Sequence, residues 1–310
     1  MRVLQARKSG LHSCPHRVSR RERFLTQVHR IAIIVAQHFQ FTTCKPRTPN
    51  SLGLFSSYDG NIIGGALLGL GMALTGACPG TVVPQVVAGV RSGPLVLAGG
   101  LLGGIVYSRF GKKLQQKVIN PPPVTAYEGL GLSRTTGIIA YEALLIAAVV
   151  LFNKLSPDSR TLLLPSCLGG TLIGVSQFTS LYLTGNTLGI SGAFEQLGDV
   201  FWHLISLIAH PNSTKSSFPR YQNTTAFAIG AAIGSLVVGR AFNIAAIESV
   251  DISNARAVFG GAVMVVGARI AGGCTSGHGI SGMSQLSVSS IISVVSMFGA
   301  GILGSALLIV

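Results

Sequence analysis

From Gly60 onward the chain is a succession of apolar runs that carry few or no charges. They fall at about 61–78, 81–90, 93–108, 136–152, 162–175, 178–190, 200–209, 225–243, 256–274 and 286–310. A helix that crosses a bilayer needs about 20 apolar residues, with a range near 17–25. The runs 61–78, 136–152, 225–243, 256–274 and 286–310 meet that length, and 93–108 is marginal. The runs 81–90, 178–190 and 200–209 are too short to cross alone. Short apolar runs at Gly/Pro breaks read as half-helices or re-entrant segments. The pattern predicts an all-α, polytopic integral membrane protein with broken helices.

Composition closes the other routes. Only 10% of the 310 residues are charged, against about 25% in soluble domains. Mean hydropathy is +0.56, which excludes disorder as the general state. An ordinary water-soluble enzyme needs far more surface charge. The 40 glycines fit closely packed membrane helices. The net charge of +14 is concentrated at the front, where residues 1–60 hold ten of the 23 basic residues. Residues 1–59 are therefore expected to form a basic, disordered tail outside the apolar body. No recognition motif accompanies the charge, so no nucleic acid is expected as a partner. The tail lacks a secretory h-region, and its Arg-rich, acid-poor texture also resembles a mitochondrial transit peptide. The plasma membrane is the expected location, with a mitochondrial membrane as the alternative.

Residues 60–310 read as one transmembrane domain with halves at about 60–120 and 136–310, joined by a stiff Pro121-Pro122-Pro123 connector. Arg109, Lys112, Lys113 and Lys117 cluster just after the 93–108 run. The positive-inside rule puts them, and the basic tail, on the cytoplasmic side.

Two segments repeat across those halves. Gly71 to Gly80 reads GMALTGACPG, and Gly267 to Gly279 reads GARIAGGCTSGHG. Each has Gly, four residues, Gly, a small residue, Cys and further glycine, at the end of an apolar run. Paired Gly/Pro-interrupted hydrophobic segments point to a midplane binding site. Irregular backbone is tolerated there only inside protein or along a cavity. Gly accepts the break, and Pro79 cannot continue a helix. The broken ends expose N–H groups that attract anions, and Cys78 and Cys274 add soft, weak S–H donors. A small anion with a polarisable sulfur atom suits such a site. A weaker echo pairs Gly189-Ile190-Ser191-Gly192 with Gly279-Ile280-Ser281-Gly282. Gly170 to Gln177 completes a second broken element, near 170–192.

The GACPG at 76–80 and the GARIAGGCTSGHGISG at 267–282 resemble the YeeE/YedE family of sulfur-transport, thiosulfate-uptake membrane proteins. LGLGMALTGACPGTV and the GVSQ at 174–177 also fit its eukaryotic branch. The resemblance covers roughly residues 50–310. It implies an all-helical inverted repeat with broken helices meeting at the centre. It implies passage of thiosulfate along a narrow path lined by cysteines that form S–H···S hydrogen bonds. Cys78 and Cys274 match two such cysteines. The family's first broken-helix pair is expected before residue 50, where this chain is basic. Cys14, Cys44 and Cys167 fall in no matching motif. A non-transporting, incomplete family member is therefore a rival reading.

The substrate-binding set expected from these motifs is Cys78, Cys274, Gly76, Gly80, Gly272, Gly273, Thr275, Ser276 and His278. Thr275 and Ser276 either donate hydroxyls to an anion or cap the next helix. His278 either shuttles a proton or is a hydrogen-bonded part of its loop. Arg269 lies inside an apolar run, so it either attracts the anion or pairs with a carboxylate such as Glu195 or Asp199. Arg91 either supports the anion or snorkels to an interface. No metal is expected, because no C-x-x-C or His pair accompanies the cysteines. No cofactor is expected, and no catalytic residue is assigned. A membrane sulfurtransferase carrying persulfide on Cys78 or Cys274 is the enzyme alternative, and it needs an accessible low-pKa thiolate. Gly99, Gly100, Gly103 and Gly104, and the Gly230/Gly234 pair, are read as close-packing positions.

Overall fold

A computed structural model describes residues 46–116, 122, 124–155, 166–185, 189–209, 223–241 and 252–309. Most of the basic tail, with Cys14 and Cys44, lies outside the described residues, as do Pro121 and Pro123 of the connector. The side chain of Cys167 also lies outside them. The main helices are α1 (Asp59–Thr75), α2 (Val82–Val87), α3 (Gly93–Val106), α4 (Arg134–Leu155), α5 (Ser166–Thr184), α6 (Ser191–Ala209), α7 (Asn223–Ala241), α8 (Asn254–Ala271) and α9 (Val288–Ile309). Among the described residues there is no strand, only isolated bridges such as Thr125 to Ser287.

Five helical segments are long and apolar enough to cross a membrane: Gly93–Leu114, Arg134–Leu151, Asn223–Ala241, Asn254–Gly282 and Val288–Leu307. The marginal 93–108 run gains its length from a π-helical turn at Tyr107–Gly111 that carries α3 on to Leu114. The 61–78 run forms the 17-residue α1, at the lower limit for a span. Residues 178–184 of the half-helix expected at 178–190 instead continue α5, and 200–209 is part of α6; these helices have 19 residues each. Gly170 and Gly174 sit inside α5. The break in that region comes at its end, where Gly185 takes a positive φ of 66°.

Glycine sets the packing. A Cβ at Gly64 would strike the backbone of Gly267 and Ala271, one at Gly71 would strike Met264, and one at Gly260 would strike Leu74 and Thr75. Partner numbers fall as α1 numbers rise, so α1 and α8 run antiparallel. Gly65 meets Ser293 and Ser296, and Gly69 meets Met297 and Gly301, so α1 and α9 run parallel. Gly99 meets Val258, and Gly103 meets Ala262, so α3 and α8 also run parallel. The two halves thus interleave. Each broken helix packs on its counterpart and on the long helix that follows that counterpart. This is the geometry of an inverted repeat, and it follows from small residues on facing stripes.

Gly99, Gly100, Gly103 and Gly104 contact α6 or α8 at close range, as expected. Gly230 and Gly234 do not. Nothing among the described residues lies within 4 Å of a Cβ at either position, and α7 buries no residue. Their spacing therefore makes no helix contact within the described residues. The contrast predicts that Gly69→Val lowers the apparent melting temperature in detergent, at a cost of about 1–3 kcal/mol for overpacking against Met297. Gly230→Val is expected to leave it unchanged in the same thermal-unfolding measurement.

Candidate functional site

Each cysteine follows a helix that stops at a left-handed glycine. α1 ends at Gly76 (φ 64°), whose N–H donates to the Met72 carbonyl at 2.8 Å. α8 ends at Gly272 (φ 85°). Positive φ suits glycine because a Cβ there meets the following carbonyl. The ends of the antiparallel pair lie on different levels. The last residue of α1, Thr75, sits beside Gly260, whereas the last residue of α8, Ala271, sits beside Gly64. Those positions are eleven residues apart on either helix, a separation of roughly 17 Å at 1.5 Å per residue. The two broken helix ends therefore do not meet at one centre.

Cys274 is fully buried and is not in a disulfide. Its Sγ lies 3.1 Å from Ser276 Oγ. Backbone N–H groups of Gly277, Ile190 and Ser191 are directed at the same sulfur. Ser276 thus faces the thiol, while Thr275 opens the π-helical segment Thr275–Gly282 and is half-buried. Ile190 and Ser191 belong to the start of α6, within the Gly-Ile-Ser-Gly echo. The echo supplies N–H donors to Cys274, a role its spacing alone did not reveal.

His278 is locked in the wall. Its Nε2 lies 3.1 Å from the Ala271 carbonyl, which only accepts, so Nε2 carries the proton. Nδ1 then accepts from the Ser290 hydroxyl at 3.0 Å. Of the two readings of His278, the hydrogen-bonded one fits this geometry. Gly273 is closely approached: a Cβ there would lie 3.0 Å from His278 and 3.0 Å from Arg47 Nη1.

The C-terminal carbonyls of α8 are covered by donors from far along the chain. Asn50 Nδ2 and Asn61 Nδ2 both donate to the Ala271 carbonyl, at 2.8 and 3.0 Å. Arg47 Nη1 donates to Gly272 at 2.9 Å, and Gln115 Nε2 to Arg269 at 3.1 Å. Ser287 and Ser289 hydroxyls hold the Arg47 carbonyl at 2.8 and 3.0 Å. Arg47 and Asn50, within the segment expected to be a tail, are thus docked on the second cysteine motif. Sequence reasoning missed Arg47, Asn50 and Asn61. Only Asn61, a polar residue in an apolar run, carried a local signal.

Cys78 is half-buried and also free. Its N–H donates to Thr81 Oγ1 at 2.8 Å, and that hydroxyl lies 3.5 Å from Sγ. Gln85 Nε2 donates to the Gly76 carbonyl at 3.2 Å. Gly80 leaves ordinary contact room, since a Cβ there would stand 3.6 Å from the sulfur. Each cysteine therefore has a nearby hydroxyl, from Thr81 or Ser276, and the C-x-x-T spacing was the missed sign of the first. Arg256 Nε donates to the Leu74 carbonyl at 3.0 Å, so an arginine covers the end of α1 as Arg47 covers the end of α8.

The two flanking arginines part ways. Arg269 pairs with Glu195, its Nη2 meeting Oε2, and lies 5.7 Å from the Tyr107 ring centre. Lys112 joins Glu195 at 2.9 Å and Asp199 at 2.7 Å. The carboxylate reading of Arg269 is the one realised, and its charge is shared within this network. Arg91 is exposed in the turn between α2 and α3. Among the described residues no group of three His, Cys, Asp or Glu side chains is placed to hold a metal.

Residues 22–303 match the sulphur transport family. The chain belongs to that family. Two relatives from Xylella fastidiosa, strains 9a5c and Temecula1, each carry the description "Probable transporter". They are 29% and 28% identical to this chain over 125 residues, which is 40% of this chain and 79% of each relative. With the apolar helices, these findings make the protein an integral membrane transporter. The match begins within residues 1–59, ahead of the first described residue.

The charged network gives a test of Arg269. Arg269→Gln leaves Glu195 short of a partner and is expected to cost about 2 kcal/mol, less than the 3–5 kcal/mol of a fully buried broken pair. The double variant Glu195→Gln/Arg269→Gln is expected to recover most of that loss, measured as apparent melting temperatures in a double-mutant cycle.

Proposed function

We propose that the protein carries thiosulfate, or a closely related small sulfur anion, across the bilayer. The observation that carries this reading is the Cys274 site, a buried thiol with Ser276 Oγ at 3.1 Å and three backbone N–H groups aimed at its sulfur. An anion entering an apolar protein loses hydration and needs donors in exchange. N–H and O–H groups serve its oxygens, and the thiol serves its polarisable sulfur. Several weak contacts let an ion both enter and leave.

Thiosulfate fits because it presents both kinds of atom. The separation of the α1 and α8 ends favours a relay, with the ion meeting Cys78 and Cys274 in succession rather than together. Thr81 and Ser276 are the hydroxyl partners along that route; Gly76 and Gly80 leave room beside it, and Gly272 and Gly273 admit the Asn50 and Arg47 side chains. The locked His278 serves as wall rather than proton carrier. We place the protein in the plasma membrane, with the basic end of α3 at the cytoplasmic face.

The test is labelled-thiosulfate uptake in cells that lack their own sulfur uptake. Cys274→Ala is expected to abolish uptake while membrane insertion, followed by immunoblot of the membrane fraction, stays normal. Uptake at the wild-type rate by a well-inserted alanine variant would remove the thiol from the mechanism.

A further inference from the structure

Arg47 is the basic group whose position the anion reading does not yet use. It enters the site from outside the repeat. Its carbonyl is clamped by Ser287 and Ser289, and Nη1 is tied to the Gly272 carbonyl. The guanidinium lies in a slot that glycine alone leaves free. A Cβ at Gly273 would come within 3.0 Å of Nη1, and one at Gly277 within 3.2 Å of Nη2. Gly273 and Gly277 flank the Cys274 loop on either side, and His278 Nε2 borders the same Gly273 position at 3.0 Å.

Among the described residues no carboxylate neutralises Arg47. Among the described residues, the ion pairs join Lys112 and Arg269 to Glu195 and Asp199, and none reaches Arg47. The nearby Asp59 spends its carboxylate on the N–H groups of Leu52, Leu54 and Gly60. Burial accordingly pushes the Arg47 guanidinium below its ordinary value. A part-buried cation with one carbonyl contact and, among the described residues, no carboxylate is costly unless an anion joins it. Arginine also offers a planar fork suited to the oxygens of an oxyanion.

We propose that Arg47 is a substrate-binding residue that holds the oxygens of the anion while the Cys274 thiol meets its sulfur. The inference rests on the reading of Cys274 as an anion site and adds a second, charged handle to it. Two handles of different chemistry define a preference. An anion with sulfonate-like oxygens and a terminal sulfur engages both. Sulfate engages only the fork, and hydrosulfide engages only the thiol.

The test uses the full chain in lipid nanodiscs at fixed ionic strength. Thermal stabilisation is titrated with thiosulfate, sulfite, sulfate and hydrosulfide. Arg47→Gln keeps an amide donor for the Gly272 carbonyl but removes the charge. Arg47→Lys keeps the charge but not the fork. The half-saturating thiosulfate concentration is expected to rise at least tenfold in Arg47→Gln and less in Arg47→Lys. An unchanged half-saturating concentration in Arg47→Gln overturns the proposal. If only another anion of the panel stabilises the wild type, the thiosulfate reading fails and Arg47 is judged by the same comparison on that anion. If none stabilises it, both readings fall. Should Arg47→Gln not insert, Arg47→Met takes its place, a long side chain with neither charge nor fork. Unaltered binding in that variant overturns the proposal equally.

Discussion

The glycine seam between α1 and α8 is the constraint on which the rest of the structure depends. Backbone meets backbone at Gly64, Gly71 and Gly267. At that distance no side chain fits between the helices, so their register is fixed by the positions of the glycines. The register places the end of α1 beside the start of α8, and the end of α8 beside the start of α1. Arg256, near the start of α8, can then reach the last carbonyls of α1. Asn61, near the start of α1, reaches the last carbonyl of α8. Each helix break is thus stabilised by the other half of the repeat. A break at membrane depth leaves unpaired carbonyls that hydrocarbon cannot solvate, and reciprocal capping is what makes two such breaks affordable in one fold.

Much of this was legible in the sequence because it is local. Gly76 and Gly272 announce their helix ends, and the repeated Gly-x4-Gly-small-Cys pattern identifies the two breaks as counterparts. Apolar length located the spans at 136–152, 225–243 and 286–310. What was hidden is long-range. Nothing in the run 178–190 says that it continues an upstream helix, because Ser176 and Gln177 look like a polar interruption. Inside α5, Ser176 simply returns its hydroxyl to the Leu172 carbonyl at 2.9 Å. Likewise, Gly230 and Gly234 have the spacing of a packing motif, yet spacing cannot tell whether a partner helix is present.

The site shows the same division. Cys78 and Cys274 were found by pattern, and Thr81 and Ser276 lie beside them in sequence, but the other companions of Cys274 come from elsewhere in the chain. Ile190 and Ser191 reach Cys274 from α6, and Arg47 reaches the loop from more than 220 residues away. Arg47 was one of ten basic residues in the first sixty, and a charge count averages such a residue into its tail. Arg269 drew attention because a charge inside an apolar run is costly. That cost is why it is paired with Glu195, and a paired arginine has less charge to offer a passing anion.

The same electrostatics explains why so many donors crowd the end of α8. A helix C-terminus carries a partial negative charge, and here it sits beside the thiol where an anion is proposed to stop. Left bare, the carbonyls of Arg269, Ala271 and Gly272 would repel that anion. Gln115, Asn50, Asn61, His278 and Arg47 each turn a donor toward one of them. Four of those donors are neutral and only screen the carbonyls. Arg47 adds a charge, bonded to the Gly272 carbonyl and met by no carboxylate among the described residues. Under the proposed reading, the balance beside Cys274 is tipped toward an anion by this one side chain, which comes from a segment ahead of the first helix.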